Sequence, residues 1–439
     1  MAILKNGYIF PVSTSEFDKY KVDHLFLLIG ENPLPNYVAA QILLKEDGTV
    51  YLVHSTDTTS KAACLERMLK AVNVKPISLG RHEANSCVIK DKIQTEVKNI
   101  LKKYPKHTFG LNYTGGTKAM SVHGYRALFE ASGVQNPVFS YLDARSLQML
   151  IERENDTPKG EIVKIQVKLE ELFNLHELPW KKNKQPNRQP VLPDAAQEFL
   201  NAYLSATPKN TDNTAEQWWK WCKAQLHSQT KDKYGFWYPE TELMKISGIS
   251  LDGTPENIKK ILHKYQMLNS KGELDLQASK NQGFGELSDV CAWLSGVWLE
   301  HYVLHQIKNL SIQFPDIHES AMSFHIDDPN NKDDRWDRFE FDVAFMRDYQ
   351  LFALSCTTAG DKFTCKQKLF EAHLRARQLG GDEARVGLVC FHNNPERVKR
   401  DLEATIRDKK IVVFGSPDLK PDKFVKKMQQ WIHENSPIL

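Results

Sequence analysis

The sequence predicts an α/β protein in two parts: an open, largely parallel sheet first and a second α/β unit last, with a helical stretch between them. Three observations carry this reading. Short apolar runs alternate with amphipathic segments through residues 1–155, a polar and proline-bearing stretch breaks the pattern at 181–190, and from 281 onward a helix, an antiparallel hairpin, a second helix and a strand follow one another. Strands that alternate with helices imply parallel neighbours, because a parallel crossover needs a helix's length of chain. At 439 residues there is room for two or three domains with cores of their own.

The first strand is His24-Leu25-Phe26-Leu27-Leu28-Ile29-Gly30, a continuous apolar run closed by Gly30 and Pro33, as expected of a strand covered on both faces. A helix is expected over 35–44, a turn at Asp47-Gly48 and a second strand over 49–54. Ala63, Leu65, Met68, Leu69 and Val72 mark the apolar face of the next helix. A strand at 76–79, a helix at 88–104, a strand at 108–112, a helix at 116–132 and strands at 138–143 and 146–152 complete a Rossmann-like open sheet. The run from Lys181 to Pro190 reads as a linker or exposed loop. Residues 195–276 carry helical patterns, with Trp218, Trp219, Trp221 and Leu226 on one helix. These tryptophans are read as core, with a stacking platform for unpaired bases as the alternative. The expected division is 1–155, 156–280 and 281–439.

Composition narrows the function classes. Lys and Arg number 58 against 55 Asp and Glu, a net charge of +3, so any nucleic-acid surface must be local. There is no run of ~20 apolar residues, so no membrane span is expected. MAILKNGYIF lacks the charged leader and apolar run of a secretory signal. Seven cysteines, none in a CxxC pair or zinc-ligand spacing, predict a reduced, cytoplasmic protein.

The most informative segment is Leu111-Asn112-Tyr113-Thr114-Gly115-Gly116-Thr117-Lys118-Ala119-Met120. A strand ends, two glycines turn the chain, and a helix begins. Glycines let backbone N–H groups approach a ligand, and a helix N-terminus favours negative charge. Thr114 and Thr117 supply hydroxyls and Lys118 a full charge, at the end of a parallel strand where open sheets bind ligands. The spacing fits neither GxxxxGK[ST] nor GxGxxG. The competing reading is a tight turn with polar residues and no ligand.

This turn resembles the signature of CARF domains, the sensors of cyclic oligoadenylate in type III CRISPR defence. Ile29 to Asn36 resembles the family's loop after strand one, and Val53-His54-Ser55-Thr56 its second strand and turn, so that the resemblance covers about the first 150 residues. It implies a two-fold homodimer holding a cyclic RNA messenger. The matching positions are Asn112, Thr114, Gly115, Gly116, Thr117 and Lys118, with Glu31, Asn32, Ser55 and Thr56 from the other loops.

The second informative stretch begins with Gly296-Val297-Trp298-Leu299-Glu300 on a helix. It continues through a hairpin, Glu340 to Phe345 and Gln350 to Cys356, to a helix over 365–379 that ends at Gly380-Gly381, and a strand over 386–391. An aspartate, Asp342, in an apolar strand is costly to bury without a partner. Glu340, two residues earlier, shares its strand face. This order resembles the PD-(D/E)xK restriction-endonuclease core. The resemblance implies that Glu300 and Asp342 hold Mg²⁺ or Mn²⁺, hard cations that prefer oxygen ligands, and that Glu340 lies beside them. The family's strand lysine is absent, since Ser355, Cys356 and Thr357 stand there. Lys366 or Lys368 of the next helix is the expected substitute.

Together these readings predict a cyclic oligoadenylate-activated, metal-dependent nuclease of DNA or RNA, with cyclic tetra-adenylate as the expected ring. Two rivals are a cyclic oligoadenylate-sensing regulatory protein whose nuclease-like unit has lost catalysis, and a cofactor-binding α/β enzyme acting on a small molecule.

Overall fold

The computed structural model describes residues 4–5, 8–9, 16–70, 72–143, 146–153, 159–182, 184–205, 214–327, 339–406 and 410–436. They form two compact units, one built on the chain up to Leu178 and the other from Pro179 onward, except that Arg377–Glu383 and Ser436 go with the first.

The first unit is built around β1 (Val22–Leu28), β2 (Leu44–His54), β3 (Asn73–Ser78), β4 (Phe109–Asn112), β5 (Val138–Asp143), β6 (Gln148–Glu152) and β7 (Lys159–Ile162), laid out in the order β3-β2-β1-β4-β5-β6-β7. The first five strands in that order are parallel, and β6 and β7 are antiparallel. Helices α1 (Leu34–Leu43), α2 (Thr59–Met68), α3 (Ser86–Lys103) and α4 (Lys118–Phe129) make the crossovers. The apolar run of β1 is buried on both faces, as its pattern requires. Phe26 and Leu28 pack with Ile89, Ile93 and Val97 of α3 and Met120, Ala127 and Leu128 of α4, while Leu25 and Leu27 are buried on the opposite face. The chain runs from β1 to β2 and β3 on one side and then returns to lay β4 on the other. The strand order therefore reverses between β1 and β4, the place where open sheets leave a crevice.

Two local expectations differ from the structure. The turn at Asp47-Gly48 is a bulge: Val22 pairs with Leu44 and His24 with Thr49, so 45–48 are extra length within β2. Strand β7 is unanticipated, because Lys-Gly-Glu-Ile carries no alternating pattern.

The second unit has a five-stranded sheet, β8 (Ile317–His325), β9 (Glu340–Arg347), β10 (Gln350–Cys356), β11 (Arg385–Val389) and β12 (Ile411–Phe414), in that order. The β8-β9 and β9-β10 pairs are antiparallel, and β10-β11 and β11-β12 are parallel. The helices within 193–292 share one core with this sheet, since Phe199, Trp218, Trp293 and Trp298 cluster in the same apolar body as Val343, Phe345, Phe352 and Val389. The stretch from Lys181 to Pro190 is not a free linker. Lys181 N–H donates to the His325 carbonyl at 2.9 Å, Asn187 pairs with Met322, and the Lys181 side chain is buried. The segment covers the edge of β8, which would otherwise expose unpaired backbone groups. Strand β8, absent from the sequence reading, is hard to find because Glu319, Ser320 and Ser323 interrupt its apolar pattern.

Among the described residues no helix is long and apolar enough to cross a membrane. All seven cysteines are free thiols.

Candidate functional site

In the first unit the predicted residues converge at the carboxyl ends of β1, β2 and β4. The turn after β4 lies directly on the end of β1. A Cβ at Gly115 would fall well inside contact distance of the Leu28 carbonyl oxygen, and one at Gly30 would lie 2.9 Å from the Gly116 amide nitrogen. Gly116 adopts a φ of +75°. Glycine is required at this crossing because two backbones touch and one of them is left-handed. Thr117 is the N-cap of α4, its hydroxyl oxygen accepting from the Met120 amide at 3.2 Å and donating to the Glu83 carbonyl at 3.2 Å. The remaining first-turn amides of α4 have no intrahelical acceptor and face the carboxyl edge of the sheet. Lys118 is exposed, and among the described residues it makes no ion pair.

The other predicted residues divide by role. Asn112 is fully buried, donating from Nδ2 to Ser140 Oγ at 3.0 Å and accepting from the Thr114 amide at 3.3 Å. Thr114 Oγ1 accepts from the Leu142 amide at 2.7 Å. These two residues hold the turn in shape. Asn32 Oδ1 accepts from the Leu34 amide at 3.0 Å, and Glu31 beside it is exposed. Ser55 is buried against Thr58, with their hydroxyls 3.2 Å apart, whereas Thr56 is exposed and its amide ties to the Gly80 carbonyl at 2.8 Å. Sequence reasoning missed Asn36. It is completely buried in α1, donates to the Leu28 carbonyl at 3.0 Å, and points an Oδ1 with no protein partner toward Gly115. Its signal is a polar residue on the inner face of an otherwise apolar helix.

In the second unit, Glu300 lies on the Trp298–Ser311 helix and Asp342 near the start of β9. Asp342 accepts from Ser355 Oγ at 2.8 Å and from the Cys356 amide at 2.6 Å. Glu300 accepts from Ser323 Oγ at 3.1 Å. Ser323 belongs to the unread strand β8 and has a φ of +55°, a strained conformation of the kind held at sites by their surroundings. Burial, then the charges of Asp342 and Glu340, push Glu300 well above the usual carboxylate range. Burial also raises Asp342, while Lys368 opposes the rise. Burial and mutual repulsion oppose the ionised forms of these two acids, which a bound cation would favour. Glu340 is exposed at the start of β9, 3.9 Å from His325.

The two candidate lysines separate. Lys368 acts on both Glu300 and Asp342. The Lys366 ammonium is paired with Asp401, which Lys362 also engages. The expected substitute was Lys366 or Lys368, and the structure places the two in different surroundings.

The donor set fits a hard divalent cation, since Glu300 and Asp342 offer oxygen ligands in a buried, cation-attracting place. Among the described residues no three His, Cys, Asp or Glu side chains cluster closely enough to hold a metal by themselves. The stretch 328–338, with Asp333, Asp334 and Asp337, lies outside the described residues.

No protein-family model matches the chain, and no curated protein matches its sequence. Solved structures share its fold. Protein VC1899 from Vibrio cholerae superposes with a TM-score of 0.68 at 14% identity, covering 94% of this chain and 99% of its own. Can2 from Sulfobacillus thermosulfidooxidans, solved in complex with cyclic tetra-adenylate, superposes with a TM-score of 0.63 at 16% identity, covering 93% and 99%.

Proposed function

We propose that the chain is a CARF-type sensor of cyclic oligoadenylate coupled to a metal-dependent PD-(D/E)xK-like nuclease, acting in type III CRISPR defence. The observation that carries the sensor half is the glycine crossing of β1 and β4, which sets the α4 N-terminus, Thr117 and Lys118 at the switch point of a parallel sheet. That arrangement suits a phosphate-bearing ligand. The whole-length likeness to a protein solved with cyclic tetra-adenylate supports that ring as the ligand.

In the nuclease half, Glu300 and Asp342 would hold Mn²⁺ or Mg²⁺. When bound, the metal polarises a phosphate and favours hydroxide near it. Ser323, Ser355 and the Cys356 amide orient the two carboxylates. Lys368 carries the positive charge that steadies the scissile phosphate, the role left open by Ser355, Cys356 and Thr357. Glu340 adds to the acidic field at the rim. Messenger binding between two copies would shift the dimer's population toward its cleaving arrangement.

A second reading has two observations in its favour: the strand lysine is missing, and Asp342 is already satisfied by Ser355 and Cys356. On that reading the sensor is intact and the second unit only binds. One experiment separates the two: incubation with cyclic tetra-adenylate, Mn²⁺ and labelled DNA and RNA strands. Shortened strands that appear only with both messenger and metal support the nuclease. Intact strands throughout favour the second reading.

A further inference from the structure

The helical stretch of the second unit carries a surface that the readings above leave unused. From 217 to 239 the chain holds four lysines, Lys220, Lys223, Lys231 and Lys233, against one acid, Asp232. It is also the most aromatic stretch of the protein, and the fold sorts those rings. Trp218 and Trp221 are buried and stacked on each other at 4.5 Å, and their indole N–H groups donate to the Leu294 and Ser250 carbonyls. Trp219, between them in sequence, emerges on the opposite side of the helix and is 44% exposed. Tyr234, at the tip of the hairpin in which Lys231 pairs with Trp237, is 67% exposed, and Tyr238 is also exposed.

Trp219 is linked through His227 to Trp237, which is half-buried against the core. The His227 ring is edge-on to Trp219 at 5.9 Å and to Trp237 at 5.6 Å. Three lysines lie over rings: Lys223 over Trp219 at 4.9 Å, Lys231 over Trp237 at 4.0 Å and Lys233 over Tyr234 at 4.9 Å. Among the described residues none of these three lysines makes an ion pair, whereas Lys220 is paired with Glu216. The Asp232 carboxylate accepts from the Tyr234 and Phe236 amides in the turn. The result is a set of flat apolar faces fringed by unneutralised positive charge. That chemistry matches a strand with unpaired bases and a phosphate backbone.

The same segment is tied to the chain that carries the acidic site. His227 Nε2 and Ser295 Oγ share a hydrogen bond of 2.8 Å. Ser295 precedes Gly296, whose φ of +143° kinks the chain into the helix that carries Glu300. At Gly296 a Cβ would lie 3.7 Å from Thr358, just past the Ser355–Cys356 segment that holds Asp342.

We propose that Trp219, Tyr234 and Trp237, with Lys223, Lys231 and Lys233, form a stacking platform for single-stranded nucleic acid that feeds the Glu300–Asp342 site. The proposal deepens the nuclease reading and rests on it for its connection to cleavage. The test is fluorescence anisotropy of a labelled oligothymidylate strand, and of the matching duplex, with the full-length protein in chelator, with and without cyclic tetra-adenylate. Trp219→Ala should weaken strand binding about tenfold, the scale of losing one stacked base, and Trp219→Phe should restore most of it. The double variant Lys223→Glu/Lys233→Glu should weaken binding and flatten its salt dependence. Trp219 is exposed, so an unchanged melting temperature serves as the folding control. The platform is refuted if wild-type protein binds no strand in either state, if it prefers the duplex, or if both sets of variants bind as wild type does. Wild-type cleavage alongside unaltered Trp219→Ala binding would refute the platform and leave the nuclease reading standing. Weakened binding in Trp219→Ala with no cleavage by wild type would uphold the platform and remove the nuclease.

Discussion

The Lys366 ammonium lies 2.7 Å from the Asp401 carboxylate, a pairing that supports the proposal of different work for Lys366 and Lys368. Asp401 is held down to about 2 by Lys362 and Lys366, so it remains charged and keeps both. Lys368 is left to act on Glu300 and Asp342. Lys368→Ala should therefore lower messenger- and metal-dependent cleavage by ~100-fold or more, the scale of removing one charge-stabilising group from a preorganised site. Lys366→Ala should change the rate by no more than a few-fold. Single-turnover cleavage assays of the two variants decide the matter, and equal losses would overturn the assignment.

Removal of the acids should separate the two halves of the protein. Asp342→Ala is expected to abolish metal-dependent cleavage while cyclic tetra-adenylate affinity, measured by calorimetry, stays at the wild-type value. Cleavage that persists in this variant would place the active site elsewhere.

The same acids predict how stability depends on pH and metal. Their carboxyl groups are raised by burial, and for Glu300 also by Asp342 and Glu340. An acid with a raised folded-state value contributes stability that is fully present below the ordinary carboxylate value of ~4 and is lost as pH rises through the raised one. In chelator the melting temperature should fall as pH rises across that window, and less so in Glu300→Gln. Mn²⁺ should raise the melting temperature of wild type at neutral pH and have little effect on Asp342→Ala. A melting temperature indifferent to Mn²⁺ in wild type would count against the metal assignment.

At the sensor, Lys118→Ala should weaken cyclic tetra-adenylate binding at least ~10-fold, since a charge-assisted phosphate contact contributes roughly 1.5–3 kcal/mol. Gly115→Ala should weaken binding too, by displacing the turn from the end of β1. Calorimetry reads both, and unchanged affinity in Lys118→Ala would remove that residue from the site.

Helix α4, which starts at this turn, exposes Val122 (56%) and Phe129 (50%) at spacings that put them with Tyr125 and Lys118 along one face. An apolar stripe beside the ligand crevice suits pairing with a second copy about a two-fold axis. Light scattering at micromolar concentration should show a dimer with or without messenger. Val122→Asp/Phe129→Asp should shift it toward monomer and weaken messenger binding. A monomeric wild type in both states would refute the dimer.

Much of the fold was legible because its signals are local. The apolar run 24–30, the Thr-Gly-Gly-Thr turn and the N-cap Thr117 each lie within a few contiguous residues, so short-range sterics and capping specify them before the chain closes on itself. The same holds for the apolar hairpin that carries Asp342. Strand β7, strand β8 and the β2 bulge were not legible, since they exist through pairing with distant strands and their own residues carry weak patterns. The sequence by itself determined where the chain turns, which strands are buried on both faces, and which acids sit in apolar surroundings. Only the tertiary structure decided that Asn36 meets Gly115, that Ser323 holds Glu300, and that Trp219 faces outward while Trp218 and Trp221 form core. It also put Lys366 and Lys368 in different surroundings, because two residues of separation rotate a side chain by about 200° around a helix. Helical spacing says that the two must point apart, and only the position of Asp401 shows that Lys366 has an acid of its own.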